Sequence, residues 1–437
     1  MSGKMAKTGE NEMSPLVKTT DSSILTKQSS VVVFQPGSEY GEDYDTFRIP
    51  AILCHNGMCL AFCEGRKESK KDYGPIDIVL RRGTLREKGD IDWESKLIKV
   101  VCSTDKRRVM NPSPVVDSKT GDIVLLYIEF PVSATVASLI VKKRYEQKFC
   151  CIRSRDNGLR WESPTDITDV FKEMEDTPLV YAPGPGHAIQ MQESGRMIVS
   201  GNSQYRLPSK FPRVRRLVNK IAPFYGIANK SCIVYSDDGG KAWKAGADIE
   251  SAVYCCHRRR VHANESQAAQ LHDGRLYVNS RTKEPRQNRQ SAFSSDEGES
   301  FTAEETKLVE PSGVPRFLAA FIPNSLMCGG CEGSILTFPL PTDLHGEDGN
   351  EEILIFSNPA SKFRRKNMSL RTSNDEGSNW SGPKTVYPGP SAYSDLVHLK
   401  VKGEGGPNLL GCLYECGKKS TVEHIVLDTF NIRDVVG

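Results

Sequence analysis

Short apolar runs separated by Gly, Pro, Asn and Asp recur along most of this chain. Runs of about four to eight residues between such turn residues predict β-strands. Patterns with the period of an amphipathic helix are scarce, and one short helix is predicted at 167–174. The pattern therefore predicts an all-β fold. The clearest strand-like runs lie at 123–130, 149–152, 196–199, 231–235, 275–278, 352–356 and 409–414.

A motif of the form Ser-x-Asp-x-Gly-x-x-Trp/Phe, which we call the Asp box, follows several of these runs. Its four copies begin at Ser154, Ser236, Ser294 and Ser373. In such a turn the Asp accepts hydrogen bonds from backbone N–H groups, the Gly takes positive φ, and the aromatic residue packs on the sheet. Copies spaced by about 60 to 80 residues are typical of the repeated sheets of a β-propeller. We therefore expect the boxes to be structural turns and not metal or catalytic sites.

Composition and charge exclude several functional classes. With 38% hydrophobic and 26% charged residues, the 437-residue chain is predicted to be globular, and its net charge of +3 is too small to indicate nucleic-acid binding. The first residues contain no apolar run long enough for a secretory signal, and no later stretch approaches the roughly 20 apolar residues of a membrane span. We therefore expect a cytoplasmic protein with a flexible N-terminal tail at 1–30 and one domain at 31–437.

The thirteen cysteines are an odd number in a large chain without an export signal, and we expect them to be reduced thiols. Cys328 and Cys331 have the spacing of half a zinc site, but no second pair with matching Cys or His lies nearby. The pair is interpreted as a Gly-rich turn. The sequence thus predicts no metal and no cofactor.

A second group of motifs is spread over 31–435. Its members are Phe47-Arg48-Ile49-Pro50, Glu64-Gly65-Arg66, Lys71-Asp72, Met110-Asn111-Pro112, Gly184-Pro185-Gly186-His187, Cys331-Glu332-Gly333-Ser334, Tyr393-Ser394-Asp395-Leu396 and Gly411-Cys412-Leu413-Tyr414-Glu415. The Arg-Ile-Pro sequence alone is a weak signal, but the whole set with four Asp boxes is specific. It resembles the sialidases (neuraminidases), in particular the vertebrate cytosolic and plasma-membrane enzymes. The resemblance implies a six-bladed β-propeller that removes terminal sialic acid from gangliosides, oligosaccharides and glycoproteins.

The chemistry of sialic acid explains why such an enzyme carries arginines. The sugar has a carboxylate on its anomeric carbon, and a permanently charged guanidinium can donate two parallel hydrogen bonds to it. By resemblance, the arginine triad that binds this carboxylate falls on Arg48, Arg281 and Arg365. Arg48 lies in an apolar strand-like run, where an unpaired charge would be costly. The neighbouring Arg364 leaves a second register open at the third position.

The same carboxylate bears on the choice of nucleophile. A negatively charged Asp or Glu would be repelled by the substrate, whereas a neutral tyrosine hydroxyl would not, and sialidases are the tyrosine exception among glycosidases. The resemblance places the nucleophile at Tyr393. A phenol is a poor nucleophile at neutral pH and needs a base, and Glu265 matches that position. Asp72 matches the acid that protonates the leaving group.

Further site residues follow from the resemblance alone. Glu415 and Glu64 are expected to orient arginines, and Arg66 is expected to be an additional substrate-binding arginine. The wall for the N-acyl group is expected at Met110 and Asn111. Tyr205 is the one tyrosine that aligns with the pocket for the glycerol side chain.

Alternatives to an enzyme are a non-catalytic carbohydrate-binding propeller and a scaffold for protein interactions. Tyr393, Glu265 and Asp72 in one chain favour the enzyme, although hydrolysis and glycosyl transfer share one intermediate and both stay open. Basic and apolar residues alternate in 207–221. This segment predicts either peripheral contact with an anionic membrane or a solvated loop beside the pocket.

Overall fold

The computed structural model describes most of the chain. The described residues are 24–37, 44–136, 138–139, 146–174, 177–206, 218, 227–249, 254–255, 259–260, 263–282, 288–311, 329–345, 351–401 and 408–437. The tail at 1–23, Cys328 and nearly all of the 207–221 segment lie outside them. Antiparallel strands dominate, so the predicted all-β fold is confirmed. Among the described residues, helix is limited to short segments, including Ile432–Val436, the 3-10 helix Thr168–Glu173 within the predicted 167–174, and the 3-10 turn Thr342–Leu344.

Consecutive strands form a series of meandering sheets. The first sheet contains β2 (Thr46–His55), β3 (Met58–Arg66), β4 (Ile76–Leu85), β5 (Ile91–Trp93) and β6 (Ile98–Val101). The second contains β7 (Arg107–Val116), β8 (Ile123–Pro131), β9 (Lys148–Ser154) and β10 (Thr165–Asp166). The third contains β11 (Val180–Pro183), β12 (Ile189–Gln190), β13 (Met197–Arg206), β14 (Ile227–Ser236) and β15 (Lys244–Ile249).

The remaining strands follow the same order. A two-stranded ribbon is formed by β16 (Tyr254–Cys255) and β17 (Arg259–Arg260). The fourth large sheet contains β18 (Ala263–Gln270), β19 (Leu276–Thr282), β20 (Asn288–Ser294) and β21 (Thr302–Val309). The last contains β22 (Ser334–Pro339), β23 (Glu352–Pro359), β24 (Lys366–Ser373), β25 (Lys384–Lys400), β26 (Asn408–Cys416), β27 (His424–Asn431) and β1 (Ser29–Phe34).

Two features set the last sheet apart. Strand β25 pairs with β24 through 384–390 and then with β26 through 391–400, so one strand serves two partners in succession. Strand β1 pairs with β27, so the first described strand joins the last. Just before β1, Leu25 is buried and donates its N–H to the carbonyl of Thr385 at 2.8 Å. The packed part of the chain therefore begins before the boundary predicted at residue 31.

Apolar side chains fill the spaces between successive sheets. One cluster joins the first and second sheets through residues such as Phe62 and Leu125, and another joins the second and third. Further clusters join the third to the fourth and the fourth to the last. A final cluster packs Phe47 of the first sheet against Leu413 of the last, which closes the series into a ring. Burial of this surface is the main stabilising term, and the ring is a propeller-like arrangement.

The four Asp boxes form the turns that follow β9, β14, β20 and β24. In the first copy, the Ser154 hydroxyl donates to Asp156 Oδ1 at 3.0 Å and accepts the Gly158 N–H at 2.8 Å. Asp156 Oδ1 also accepts the Arg160 N–H at 2.8 Å, and Trp161 Nε1 donates to the Gly158 carbonyl at 3.0 Å. Gly158 has φ 81°, a conformation that favours glycine. The box carboxylate is therefore used by its own turn, as predicted.

Candidate active site

The site is built where four strands from four sheets lose their regular pairing. Register shifts interrupt β2 after Arg48, β7 after Met110, β18 after Ala263 and β25 after Ser391. A bulge bends a strand and redirects its side chains. Two bulge residues have positive φ, Asn111 at 57° and Ile49 at 61°. The candidate residues Arg48, Asn111, Glu265 and Tyr393 all lie at these bulges.

Tyr393, Glu265 and Arg281 form a compact hydrogen-bonded cluster. The Tyr393 hydroxyl donates to Glu265 Oε1 at 2.5 Å, and Arg281 Nη1 donates to Glu265 Oε2 at 2.5 Å. Arg281 Nη1 also lies 3.2 Å from the Tyr393 oxygen, while its Nη2 donates to the Gly329 carbonyl at 3.0 Å. The Tyr393 residue is only 6% exposed. The structure therefore brings together the three residues that the sequence predicts as nucleophile, base and triad arginine.

Protonation in this cluster is set by burial and charge. Burial raises the pKa of Tyr393 well above its ordinary value, and the adjacent Glu265 charge raises it further, against the opposing arginines. Burial acts to raise the pKa of Glu265 as well, but the Arg281 charge and the hydrogen bond from Tyr393 outweigh it and lower that pKa. At neutral pH the proton therefore resides on the phenol, and Glu265 is a carboxylate placed to accept it.

Arg48 is fixed by Glu415 at the end of β26. Its Nε and Nη2 each donate to one Glu415 carboxylate oxygen at 3.1 Å, and the Ile49 N–H donates to Oε1 at 2.9 Å. This fork is the bidentate geometry in which guanidinium and carboxylate groups match. The guanidinium carbon of Arg48 lies 5.1 Å from the centre of the Tyr393 ring. Glu415 thus contacts one of the predicted triad arginines, and its orienting role stays a prediction.

Arg365 lies near Tyr393, immediately before the start of β24. Its guanidinium carbon lies 5.5 Å from the Tyr393 ring centre, and its Nη2 donates to the Gly330 carbonyl at 3.1 Å. The neighbouring Arg364 is exposed. Of the two registers left open by the sequence, the structure places Arg365 against Tyr393. Three guanidinium groups, from Arg48, Arg281 and Arg365, therefore surround one phenol.

Asp72 lies in the loop after β3 and is the most exposed of the candidates. Its Oδ1 lies 2.9 Å from Arg66 Nη1 and 3.8 Å from Arg48 Nη1, and its side chain is 70% exposed. Arg66 is buried and donates from Nε and Nη2 to Glu64 Oε2 at 3.0 and 2.6 Å. Burial raises the pKa of Glu64 even though Arg66 acts to lower it. Glu64 and Arg66 thus form a buried ion pair beneath the loop that carries Asp72.

The predicted wall residues differ in their surroundings. The Asn111 N–H donates to the second Glu64 oxygen at 2.9 Å, which ties its bulge to the Arg66 pair. Met110 is buried in the apolar cluster between the second and third sheets, and Arg108 Nε lies 3.2 Å from its sulfur. These contacts connect Asn111, more directly than Met110, to the charged cluster.

Tyr205 is held by its own sheet. Its hydroxyl donates to Asp248 at 3.1 Å, and Lys230 Nζ lies 5.0 Å from the ring centre. Both partners belong to the third sheet, on β15 and β14. These contacts do not test the predicted role of Tyr205 in a glycerol pocket, which stays a prediction.

Sequence reasoning assigned no role to several buried polar residues around the nucleophile strand. Asp395 is fully buried and accepts hydrogen bonds from His187, Gln267 and Ser334. Glu332 is buried, accepts the Ser394 N–H at 2.9 Å, and has a pKa that burial raises well above its ordinary value. A sequence signal for these residues was present, because polar residues are spaced i, i+2 in three segments. The segments are Glu265-Ser-Gln267, Glu332-Gly-Ser334 and Tyr393-Ser-Asp395.

No helix in the described ranges is long and apolar enough to cross a membrane. Within the same ranges, no three His, Cys, Asp or Glu side chains are grouped so that they could hold a metal ion.

Comparison with known proteins extends these observations. The family model described as a BNR repeat-like domain matches residues 57–402. Sialidase-3 of Bos taurus is 32% identical over 429 residues, covering 90% of this chain and 90% of that protein. Sialidase-3 of Homo sapiens is 30% identical over 427 residues with the same two coverages.

Solved structures share the fold. A Hadza microbial sialidase superposes with a TM-score of 0.67 at 21% identity, covering 92% of this chain and 68% of that chain. Trypanosoma rangeli sialidase in complex with 2,3-difluorosialic acid, described as a covalent intermediate, superposes with a TM-score of 0.63 at 16% identity, covering 96% and 58%. Because the sequence match covers 90% of this chain and 90% of each Sialidase-3 protein, this chain belongs to the vertebrate sialidase family, a family of exo-α-sialidases.

Proposed function

We propose that this protein is a retaining exo-α-sialidase that uses Tyr393 as its nucleophile. The observation that carries the proposal is a neutral phenol hydrogen-bonded to the Glu265 carboxylate inside a group of three guanidinium ions. The guanidinium groups suit the carboxylate that sialic acid carries on its anomeric carbon. A neutral nucleophile avoids repulsion by that same carboxylate.

The reaction proceeds in two displacements. Arg48, Arg281 and Arg365 bind the substrate carboxylate and hold the anomeric carbon near the Tyr393 oxygen. Glu265 takes the phenol proton as that oxygen bonds to the anomeric carbon, and Asp72 donates a proton to the departing glycosidic oxygen. Water, deprotonated by the Asp72 carboxylate, then attacks the anomeric carbon, and Glu265 returns the proton to Tyr393. Net retention follows from two inversions at one carbon.

The arginines also hold the transition state. As the glycosidic bond breaks, positive charge develops on the sugar ring while the substrate carboxylate stays bound. Glu265 and Glu415 prevent the three guanidinium groups from making the empty site strongly positive, since each is paired with one arginine at 2.5 to 3.1 Å. Prepaired charges of this kind need little reorganisation during the reaction.

We also propose that the propeller has six blades. The seven-stranded sheet divides naturally within β25, where 384–390 pair with β24 and 391–400 pair with β26. The first part completes a blade with β22, β23 and β24, and the second part forms a blade with β26, β27 and β1. With the other four large sheets, this division yields six blades of at least four strands.

The proposed substrates are gangliosides, oligosaccharides and glycoproteins with terminal α-linked sialic acid. We propose a cytoplasmic enzyme that contacts anionic membranes peripherally. The support for membrane contact is the alternation of basic and apolar residues in 207–221, which would place cations beside lipid head groups and apolar side chains in the interface.

The experiment that tests the proposed function measures both turnover and stereochemistry. Purified wild-type protein is expected to hydrolyse a fluorogenic α-sialoside and to release α-sialic acid first, as followed by proton NMR. Tyr393→Phe keeps the ring and removes only the hydroxyl, so its kcat is expected to fall by about 1,000-fold or more. Initial release of the β-anomer, or near-normal turnover of Tyr393→Phe, would exclude the mechanism.

A further inference from the structure

One fully buried carboxylate, that of Asp395, joins several strands beneath the catalytic cluster. Its Oδ2 accepts the N–H groups of Ile52 at 2.8 Å and His187 at 3.0 Å. Its Oδ1 accepts His187 Nδ1 at 2.7 Å, Gln267 Nε2 at 2.8 Å and the Ser334 hydroxyl at 3.0 Å. The donors come from β2, the segment between β11 and β12, β18 and β22. Together with β25, five parts of the chain meet at one side chain.

The partners of Asp395 follow the catalytic residues along their strands. Gln267 lies two residues after Glu265 on β18, and Asp395 lies two residues after Tyr393 on β25. Ile52 lies on β2, which also carries Arg48. Two residues of a strand span about 6.6 Å. The hydrogen bonds of Asp395 therefore form a layer about one strand repeat away from the catalytic layer.

This layer lies where ordinary sheet pairing resumes. The pairing of β25 with β26 includes Ser391 and Ser394 but skips the two residues between them, one of which is Tyr393. The pairing of β18 with β19 likewise skips Glu265, between Ala263 and Ser266. The backbone ladder therefore does not fix the separation of the nucleophile from its base.

Side chains of β22 and of the segment just before it bind the same part of the nucleophile strand. Glu332 Oε2 accepts the Ser394 N–H at 2.9 Å, and the Ser334 hydroxyl accepts the Leu396 N–H at 3.0 Å. The single Ser334 hydroxyl proton is shared between Gln267 Oε1 at 2.7 Å and Asp395 Oδ1 at 3.0 Å. Polar side chains thus bind the backbone N–H groups of the residues before and after Asp395, next to the stretch of β25 that lacks regular backbone pairing.

We propose that Asp395 is a positioning residue that fixes the Tyr393 hydroxyl against Glu265 by locking the strands on which the two residues lie. The proposal rests on the proposed function, because it assigns Asp395 to the geometry of that nucleophile pair. Asp395 does not touch the reacting atoms; it acts through the β25 and β18 backbones. A displacement of about 1 Å between reacting groups can lower a rate by about 100-fold.

The test compares Asp395→Asn with Asp428→Asn. In Asp395→Asn an amide NH₂ replaces an acceptor oxygen in a site lined by five donor contacts, so the strands must shift. Asp428 is also fully buried and accepts Tyr414 at 2.6 Å and Lys27 at 2.6 Å, but it lies on β27 outside the cluster. Both variants lose a buried carboxylate, which makes Asp428→Asn a matched control for lost stability.

Four quantities are measured for each variant, with the kinetic ones taken at a temperature at which the variant is folded. They are kcat and KM on a fluorogenic sialoside, the melting temperature, and the rate of covalent labelling by 2,3-difluorosialic acid, followed by intact mass. For Asp395→Asn we expect kcat and the labelling rate to fall together by about 100-fold while KM changes by less than about threefold. Asp428→Asn should have a lower melting temperature than the wild-type protein but keep the wild-type kcat.

Equal kcat values for the two variants would overturn the proposal. If Asp395→Asn does not fold, Ser334→Ala supplies the same test, because it removes one donor to Asp395 and the acceptor of the Leu396 N–H. Its kcat and labelling rate are expected to fall by about tenfold at unchanged KM, and a wild-type kcat in that variant would overturn the proposal. An inactive wild-type protein would instead overturn the proposed function, and this role with it.

Discussion

The proposed nucleophile and the proposed acid both lie near Arg48, yet their surroundings differ. Tyr393 is buried, hydrogen-bonded to Glu265 and surrounded by three guanidinium groups. Asp72 lies in a loop, is 70% exposed and has Arg66 as its near charged partner at 2.9 Å. A strand bulge therefore carries the proposed nucleophile, which would attack a constant part of the substrate. A loop carries the proposed acid, which would face the variable leaving group.

The first way to break this comparison is to remove the base. In Glu265→Gln the amide cannot accept the phenol proton and leaves Arg281 without its anion. We expect kcat to fall by about 1,000-fold with every substrate, because general-base catalysis and the arginine geometry are lost together. Pre-steady-state labelling by 2,3-difluorosialic acid should be slowed by the same factor. Retention of more than about a tenth of wild-type kcat would exclude Glu265 as the base.

The arginines provide the second test. Replacing Arg48, Arg281 or Arg365 with Lys keeps the charge but removes the two-pronged donor. We expect each change to cost about 2 to 4 kcal/mol in kcat/KM. Arg364→Lys is the matched control next to Arg365, and it should leave kcat/KM close to the wild-type value. A damaging Arg364→Lys beside a silent Arg365→Lys would reverse our assignment of the register.

The acid sharpens the comparison through its dependence on the leaving group. In Asp72→Asn, hydrolysis of sialyllactose should fall by about 100-fold or more, since its alkoxide leaving group needs a proton. The aryloxide of an activated aryl sialoside departs without that proton, so the rate of the first displacement should change far less. The ratio of the two kcat/KM values is the measurement. An equal loss on both substrates would indicate that Asp72 acts by binding and not as an acid.

The buried layer predicts a smaller, pH-dependent effect on stability. Burial disfavours the charged form of His187, but the charge and hydrogen bond of Asp395 outweigh it and raise the pKa of His187 above its ordinary value. The stabilisation by this pair is complete below the unfolded pKa of about 6.5 and is lost as pH rises through the folded pKa. His187→Asn should therefore lower the free energy of unfolding more at pH 5.5 than at pH 9, by about 1 to 3 kcal/mol. A difference that is constant over this range would contradict the charged pair.

The weakest expected effect concerns the membrane. The wild-type protein should co-sediment with vesicles that contain anionic lipid at low salt. Substitution of Arg213, Arg215 and Arg216 by Ser should reduce the bound fraction. Each basic residue contributes about 1 kcal/mol near an anionic surface, and salt screens it. Neutral vesicles are the control. Protein that stays in the supernatant with every lipid would exclude peripheral attachment.

The sequence predicted those parts of the molecule that local chemistry determines. An Asp box forms within eight residues, so its turn could be predicted from the motif, and alternating apolar runs were enough to predict the strands. Arg48 and Tyr393 could be proposed because they lie in motifs of the set that resembles the sialidases, whereas the register at Arg365 stayed open. Asp395 could not be assigned a role, because its five hydrogen bonds join residues up to 343 positions apart. Such partners depend on the register of several strands, which no local pattern contains.

The pairing of β1 with β27 has a consequence for how the protein is made. Ser29–Phe34 emerges from the ribosome long before its partner strand His424–Asn431. The early strand must therefore wait without its partner until His424–Asn431 has been made, and the ring can close only then. Arg48 emerges early and its partner Glu415 late, so the same delay applies to this contact of the site. A ribosome-stalled chain ending before residue 424 would thus present open sheet edges, the surfaces that chaperones bind and that otherwise aggregate.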